Sequence, residues 1–163
     1  MTRKLIVLAV LALTISLCFG QTDGTFKIAD HYKTKEFDAA IFPADYIDLI
    51  PGQRFTPTRQ EIDKAEIALQ NDLKTLNKEL ENQSSTPIIH KNLHKYKRQY
   101  FGYIDKNGDK ILLINGFWSN DKKDDNVWLS GRIEVFDGGS YYWNVKFNLN
   151  KNVLFDLDIN GYA

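Results

Sequence analysis

Apolar positions along this chain follow two different rhythms. Between Thr58 and Glu81, Ile62, Ala65, Leu69, Leu73, Leu76 and Leu80 recur every three or four residues, with Lys, Glu, Asp and Gln filling the gaps. That spacing lays one apolar stripe along a helix. Thr58 with Glu61 three residues on forms a capping box, and Pro57 just upstream suits a helix entry. The polar run Asn82-Gln83-Ser84-Ser85-Thr86-Pro87 closes the segment. One helix over Thr58 to Glu81, about 36 Å long, is therefore predicted.

From Tyr96 onward the rhythm shortens to two. Segments rich in Tyr, Phe, Trp, Val and Ile alternate with turn signals at Asn107-Gly108, Asp137-Gly138-Gly139 and Asn150-Lys151-Asn152. They read as hairpin-linked antiparallel strands. A two-residue turn at Asn107-Gly108 pairs Tyr103 with Leu112 and Phe101 with Ile114, and sets Trp118 on their face. Tyr100, Ile104, Ile111, Leu113 and Phe117 fall on the other. Both faces are apolar, so this hairpin is either covered twice or shows an aromatic surface.

In the next hairpin, Val127, Leu129, Ile133 and Val135 alternate with Trp128, Ser130, Arg132 and Glu134. A three-residue loop at Asp137-Gly138-Gly139 matches Val135 with Tyr141, Ile133 with Trp143 and Leu129 with Phe147, whereas a two-residue turn would invert every side chain. The last turn matches Leu149 with Val153 and Phe147 with Phe155. It keeps Leu157 and Ile159 inward and sends Asp156 and Asp158 to water. The fold class is then α+β, with one long amphipathic helix packed on a four- to five-stranded antiparallel β-meander.

The N-terminal third shows neither rhythm. Arg3 and Lys4 precede an apolar run from Leu5 to Leu17, too short to span a bilayer but suited to a secretory signal. Residues 1–20 are read as that signal, with cleavage after Gly20. Lipidation at Cys18 is the rival, disfavoured by the bulky Leu17. Residues 21–55, broken by Pro43 and Pro51, read as an irregular arm packed on the domain, with room for one short helix or strand. Residues 56–163 form the single domain.

Cleavage leaves 143 residues, enough for one core burying about two-thirds of the chain surface. It also removes Cys18, the lone cysteine, and with it any disulfide or thiolate chemistry. The 21 basic residues lose Arg3 and Lys4, leaving 19 against 21 acidic, a net charge of −2. Near-neutral charge argues against nucleic acid as partner. No later segment has the length or apolarity of a transmembrane span.

The blocks KYKRQYFGYIDKNGDKILLINGFW (95–118) and VFDGGSYYWNVKFNLNKNVLFDLDINGYA (135–163) resemble a family of small exported proteins of Gram-negative bacteria, and Phe55 to Thr58 extends the likeness loosely. The resemblance implies export to the periplasm or beyond and a shared domain, and carries no catalytic residue. The order of one long helix and then a meander is similar to cystatin-like folds, which host unrelated functions.

Candidate chemistry is sparse. Asp105-Lys106-Asn107-Gly108-Asp109 begins like a calcium loop, but Lys110 stands where glycine is needed and Gly116 where the bidentate glutamate belongs. His90 and His94 would share a face if their segment were helical, and are the metal candidates. No third ligand is fixed, so no metal is assigned; the alternative is a solvated basic stretch with Lys91, Lys95, Lys97 and Arg98, which also suits anions or an acidic partner. Glu134, Asp156 and Asp158 point outward as ordinary solvated carboxylates, and Ser119 and Ser140 lack a nearby His-Asp pattern.

Trp128, Arg132, Phe136, Tyr142 and Lys146 gather on the outward face, a composition suited to protein or glycan recognition. The alternative is that these rings stack on one another, or lie beneath the 21–55 arm. The expected function is an exported, non-enzymatic module binding a protein, a cell-envelope component or another macromolecule, without a cofactor. A small-ligand protein or enzyme with a helix–sheet pocket lined by Trp143, Tyr103 and Trp118 is the second class.

Overall fold

The computed structural model describes residues 27–119 and 126–162. The expected export signal lies outside them. Seven strands form one sheet, in the order β1-β2-β4-β5-β6-β7 with β3 beside β4. The strands are β1 (Asp30–Lys33), β2 (Asp38–Ile41), β3 (Arg54–Phe55), β4 (Tyr96–Ile104), β5 (Lys110–Trp118), β6 (Tyr142–Asn148) and β7 (Val153–Ile159). All pairings are antiparallel except β2 with β4. The fold is α+β, with more strands than the meander alone supplies. Three of them come from the segment read as an irregular arm, where short runs such as Asp38–Ile41 show no legible period.

Helix α1 spans Arg59–Leu76, and both halves of the Thr58–Glu61 capping box are formed. It stops a turn earlier than expected. Asn77 and Gln83 exchange side-chain amide hydrogen bonds of 2.9 and 2.6 Å, and Leu80 and Asn82 take positive φ. The chain therefore turns through Asn77–Gln83 instead of adding a last helical turn. Ile62, Ala65, Leu69 and Leu73 pack against Leu112, Ile114, Trp143 and Val145 on one sheet face, all almost fully buried. Within this layer Arg98 donates to both oxygens of Glu66 (2.6 and 3.0 Å), and Tyr100 donates to the same carboxylate at 2.6 Å. Burial, then the neighbouring Glu66 charge, raises the Tyr100 hydroxyl well above its ordinary pKa. Every member of the triad is bonded, so it fixes how α1 sits on the sheet.

Two hairpin registers differ from expectation by one residue. At β4–β5 the pairs are Tyr103 with Ile111 and Phe101 with Leu113. Asp105 Oδ1 accepts from the amides of Asn107 (2.8 Å) and Asp109 (2.9 Å), and Gly108 takes φ +83°. Together these close a three-residue loop in place of the two-residue turn. At β6–β7, Phe147 faces Leu154 and Lys146 faces Phe155. A bulge with Asp156 at φ +55° then restores Trp143 opposite Ile159. Leu157 and Ile159 thus pack inward as expected, while Phe155 turns outward.

The larger correction concerns residues 127–135, which form no strand. β5 pairs directly with β6, Gly116 opposite Trp143, so no ladder position remains between them. Instead 126–129 make a 3-10 turn and 131–138 run as coil across the second face of the sheet. There Trp128 and Leu129 join Phe42, Ile50, Phe101, Tyr103, Leu113 and Phe117 in a second core. The β4–β5 hairpin is covered twice, by α1 and by coil.

Candidate functional site

Coil can cover a sheet only if its peptide groups find partners. Two buried amides on the second face supply them. Gln99 Nε2 donates to the carbonyls of Trp128 and Gly131, each at 2.7 Å, and Gln99 Oε1 accepts from the Ile133 amide at 2.8 Å. Asn115 Nδ2 donates to Ile133 O at 2.8 Å. Asn160 donates to the carbonyls of Val135 and Asp137, and the Tyr46 hydroxyl accepts from the Arg132 amide at 3.0 Å. This strap, residues 126–137, leaves an open groove of about 340 Å³ between itself and β5–β7. Arg132, Glu134, Phe136, Tyr142, Asn144 and Asp158 are among its walls.

Arg132 and Glu134 also wall a second recess of about 300 Å³ beside Tyr46–Leu49. Arg132 Nη1 meets Asp48 Oδ1 at 3.3 Å, and its guanidinium lies 5.7 Å from the Phe101 ring. Arg54 approaches the same ring at 6.0 Å, and burial lowers its pKa against the pull of Asp48 and Tyr46. Ile47, Leu49 and Phe136 project from the loop and the strap almost fully into solvent. Unpartnered buried polar atoms concentrate here. Asp48 Oδ2, Arg54 Nη2, Arg132 Nε and Asn144 Oδ1 all lack a hydrogen bond. Such atoms are costly in a finished core, so this corner of the second face is less fully satisfied than the layer under α1.

Of the five residues predicted for an outward recognition face, the groove gathers three: Arg132, Phe136 and Tyr142. Trp128 is 3% exposed, its ring edge-on to His31 at 5.3 Å with Lys97 Nζ 4.9 Å above it, so it supports the strap from beneath. Lys146 bonds to Asp156 and takes no part in the groove. Asp158, expected as a solvated carboxylate, lines the groove opposite Asn144 of β6, while Ile47 and Leu49 line only the second recess, which forms when strap and loop converge. A signal was present, however, in Gln99 and Asn115, polar amides inside otherwise apolar strands.

The other candidates resolve locally. His90 and His94 sit in successive 3-10 turns, Ile89–Lys91 and Leu93–Lys95, so they do not share an α-helical face. His90 Nδ1 meets Asn77 Nδ2 at 3.2 Å, and burial, then Lys91 and Lys74, lowers its pKa. Among the described residues no three His, Cys, Asp or Glu are grouped to hold a metal ion. Asp105 is occupied by its own turn, and Asp109 by Lys151 (2.6 Å) and Asn148 (2.8 Å). Ser140 is buried and bonded to Thr86 and Pro87. Trp143, Trp118 and Tyr103 share no pocket: Trp143 is buried under α1, and Tyr103 belongs to the opposite face. No helix among the described residues is long and apolar enough to cross a membrane.

No family model matches this chain, and no curated protein and no solved structure matches it at a significant level.

Proposed function

We propose that the protein is an exported, non-enzymatic binding module whose ligand seats in the groove between the strap and β5–β7. The observation that carries this reading is Phe136, 93% exposed at the lip of a groove that also holds Tyr142 and Arg132. An aromatic ring left in water at the lip of a recess offers apolar area to a partner while contributing little to the fold. Aromatic and Arg side chains give contact area at modest entropic cost. The cationic start, the Leu5–Leu17 run and the likeness to small exported proteins support export to the periplasm or beyond. The helix-on-meander arrangement is similar to cystatin-like folds as an analogy of architecture alone. Hydrolytic chemistry has no support from the groove, whose walls carry no Ser, Cys or His among the described residues.

Affinity capture from an envelope extract tests the reading. Bait spanning 21–163 is compared with the same bait carrying Phe136→Ser and Tyr142→Ala. A macromolecule retained by the first and lost by the second supports the module. Equal capture by both baits, or none by either, contradicts it.

A further inference from the structure

A smaller recess of about 180 Å³ lies where the β1–β2 turn meets the start of β4, and it shares no lining residue with the groove. The sequence concentrates cations here. Residues 88–98 carry Lys91, Lys95, Lys97 and Arg98 and no acid. Arg98 turns inward to Glu66, while the second 3-10 turn and the first residues of β4 bring Lys95 and Lys97 to the recess. The parallel β2–β4 pairing sets Asp38 beside Lys97, so the β1–β2 turn adds Lys33, Lys35 and Glu36 to the walls.

Lys33 and His31 both hold the Asp38 carboxylate, at 2.9 and 2.6 Å, so those charges are spent on one another. Lys35, Lys95 and Lys97 meet no carboxylate among the described residues. Lys97 has only the Trp128 ring, 4.9 Å away, which leaves its charge intact. Three lysines against Glu36 leave the walls at +2. Thr34 adds a directional cue. Its Oγ accepts from the amides of Glu36 and Phe37, both at 3.1 Å, so the hydroxyl has only its proton left to offer.

We propose that this recess binds a phosphate-type dianion, either a free phosphate compound or a phosphomonoester headgroup on a lipid. Three ammonium groups and a hydroxyl proton supply charge and donors, which an anion satisfies and a cation does not. An excess of two positive charges matches a dianion better than a single carboxylate. The volume is below the usual range of ligand sites, about 300–1,000 Å³, and suits one phosphate-sized group whose remainder stays in water.

Amide NMR shifts on isotope-labelled chain 21–163 test the proposal, with inorganic phosphate, glycerol 3-phosphate and acetate at about pH 8, where the phosphates are largely dianions. Both phosphates should shift the amides of Thr34, Lys35 and Lys95 saturably, with Kd at or below about 5 mM. Acetate should bind at least about fivefold more weakly. Lys35→Gln and Lys95→Gln should each weaken phosphate about threefold and together about tenfold, while Lys64→Gln on α1 should change nothing. Sedimentation with phosphatidylcholine vesicles, with and without phosphatidic acid, separates the two sources. Soluble phosphates binding without vesicle capture assigns a free compound, and capture that needs both phosphatidic acid and the two lysines assigns a lipid headgroup. Absence of both saturable shifts and such capture overturns the proposal. Acetate binding as tightly as phosphate, or binding indifferent to the lysine pair, overturns it equally.

Discussion

The helix face and the second face of the sheet bury similar aliphatic and aromatic side chains, yet α1 covers one and coil covers the other. A helix bonds its own peptide groups, so its face of the sheet is mainly apolar around the Glu66–Arg98–Tyr100 cluster, whose Arg98 also donates to the carbonyls of Leu93 and Tyr96. Coil brings open peptide groups with it. The sheet answers with Gln99 and Asn115, buried amides that would be liabilities under a helix. Coil also follows no regular surface, and the groove is the gap it leaves. A buried amide on an apolar strand is thus a sign of covering coil, and coil-covered faces are where sites open.

The largest effect should come from the helix face. Glu66→Ala strands the Arg98 charge under α1 and should cost about 3–5 kcal/mol in denaturant unfolding. Replacing the pair together, Glu66→Leu with Arg98→Met, should recover most of the loss. If the single variant costs nothing, the triad is not what seats the helix.

Gln99→Leu probes the other face. It leaves the carbonyls of Trp128 and Gly131 and the amide of Ile133 without their partner. Because coil can relax toward water, the expected cost is about 1–3 kcal/mol. Loss confined to the strap, seen as faster proteolysis there with α1 intact by circular dichroism, would sharpen the contrast. A cost as large as that of Glu66→Ala, with α1 melting too, would erase it.

Smaller still is the entry of α1. Thr58→Ala should cost about 0.5–2 kcal/mol. Burial alone would raise the Glu61 pKa, but Lys110 and Thr58 outweigh it and hold the carboxyl below its ordinary value. A depressed pKa stabilises above the unfolded value, about 4, and that contribution fades as pH falls through the folded one. The stability gap between the unaltered chain and Glu61→Gln should therefore narrow below about pH 4. A gap independent of pH would count against the cap. Least affected should be Phe136→Ser, which changes stability by under about 0.5 kcal/mol while abolishing capture of the partner.

The contrast between faces also explains what the sequence made legible. Helix α1, its cap and strands β4 to β7 follow from period and turn chemistry, since each is decided within a few residues. Hairpin registers missed by one because Asp105 and the Asp156 bulge act through hydrogen bonds and positive φ that alternation cannot express. Residues 127–135 alternate as a strand would, yet no free ladder position exists for them beside β6. Arg132, Phe136 and Tyr142 stood out by residue type, and Asn144 and Asp158 lie beside Tyr142 on β6 and β7, whereas Ile47 and Leu49 come near Arg132 only through a distant loop.

Native-state hydrogen exchange on the unaltered chain tests the central claim most directly. The amides of Arg132 and Ile133, held by Tyr46 and Gln99 side chains, should exchange through a local opening well below the free energy of global unfolding. Amides in the middle of α1 and in β4 and β5 should exchange only through global unfolding. A single opening free energy shared by strap and helix would contradict the account.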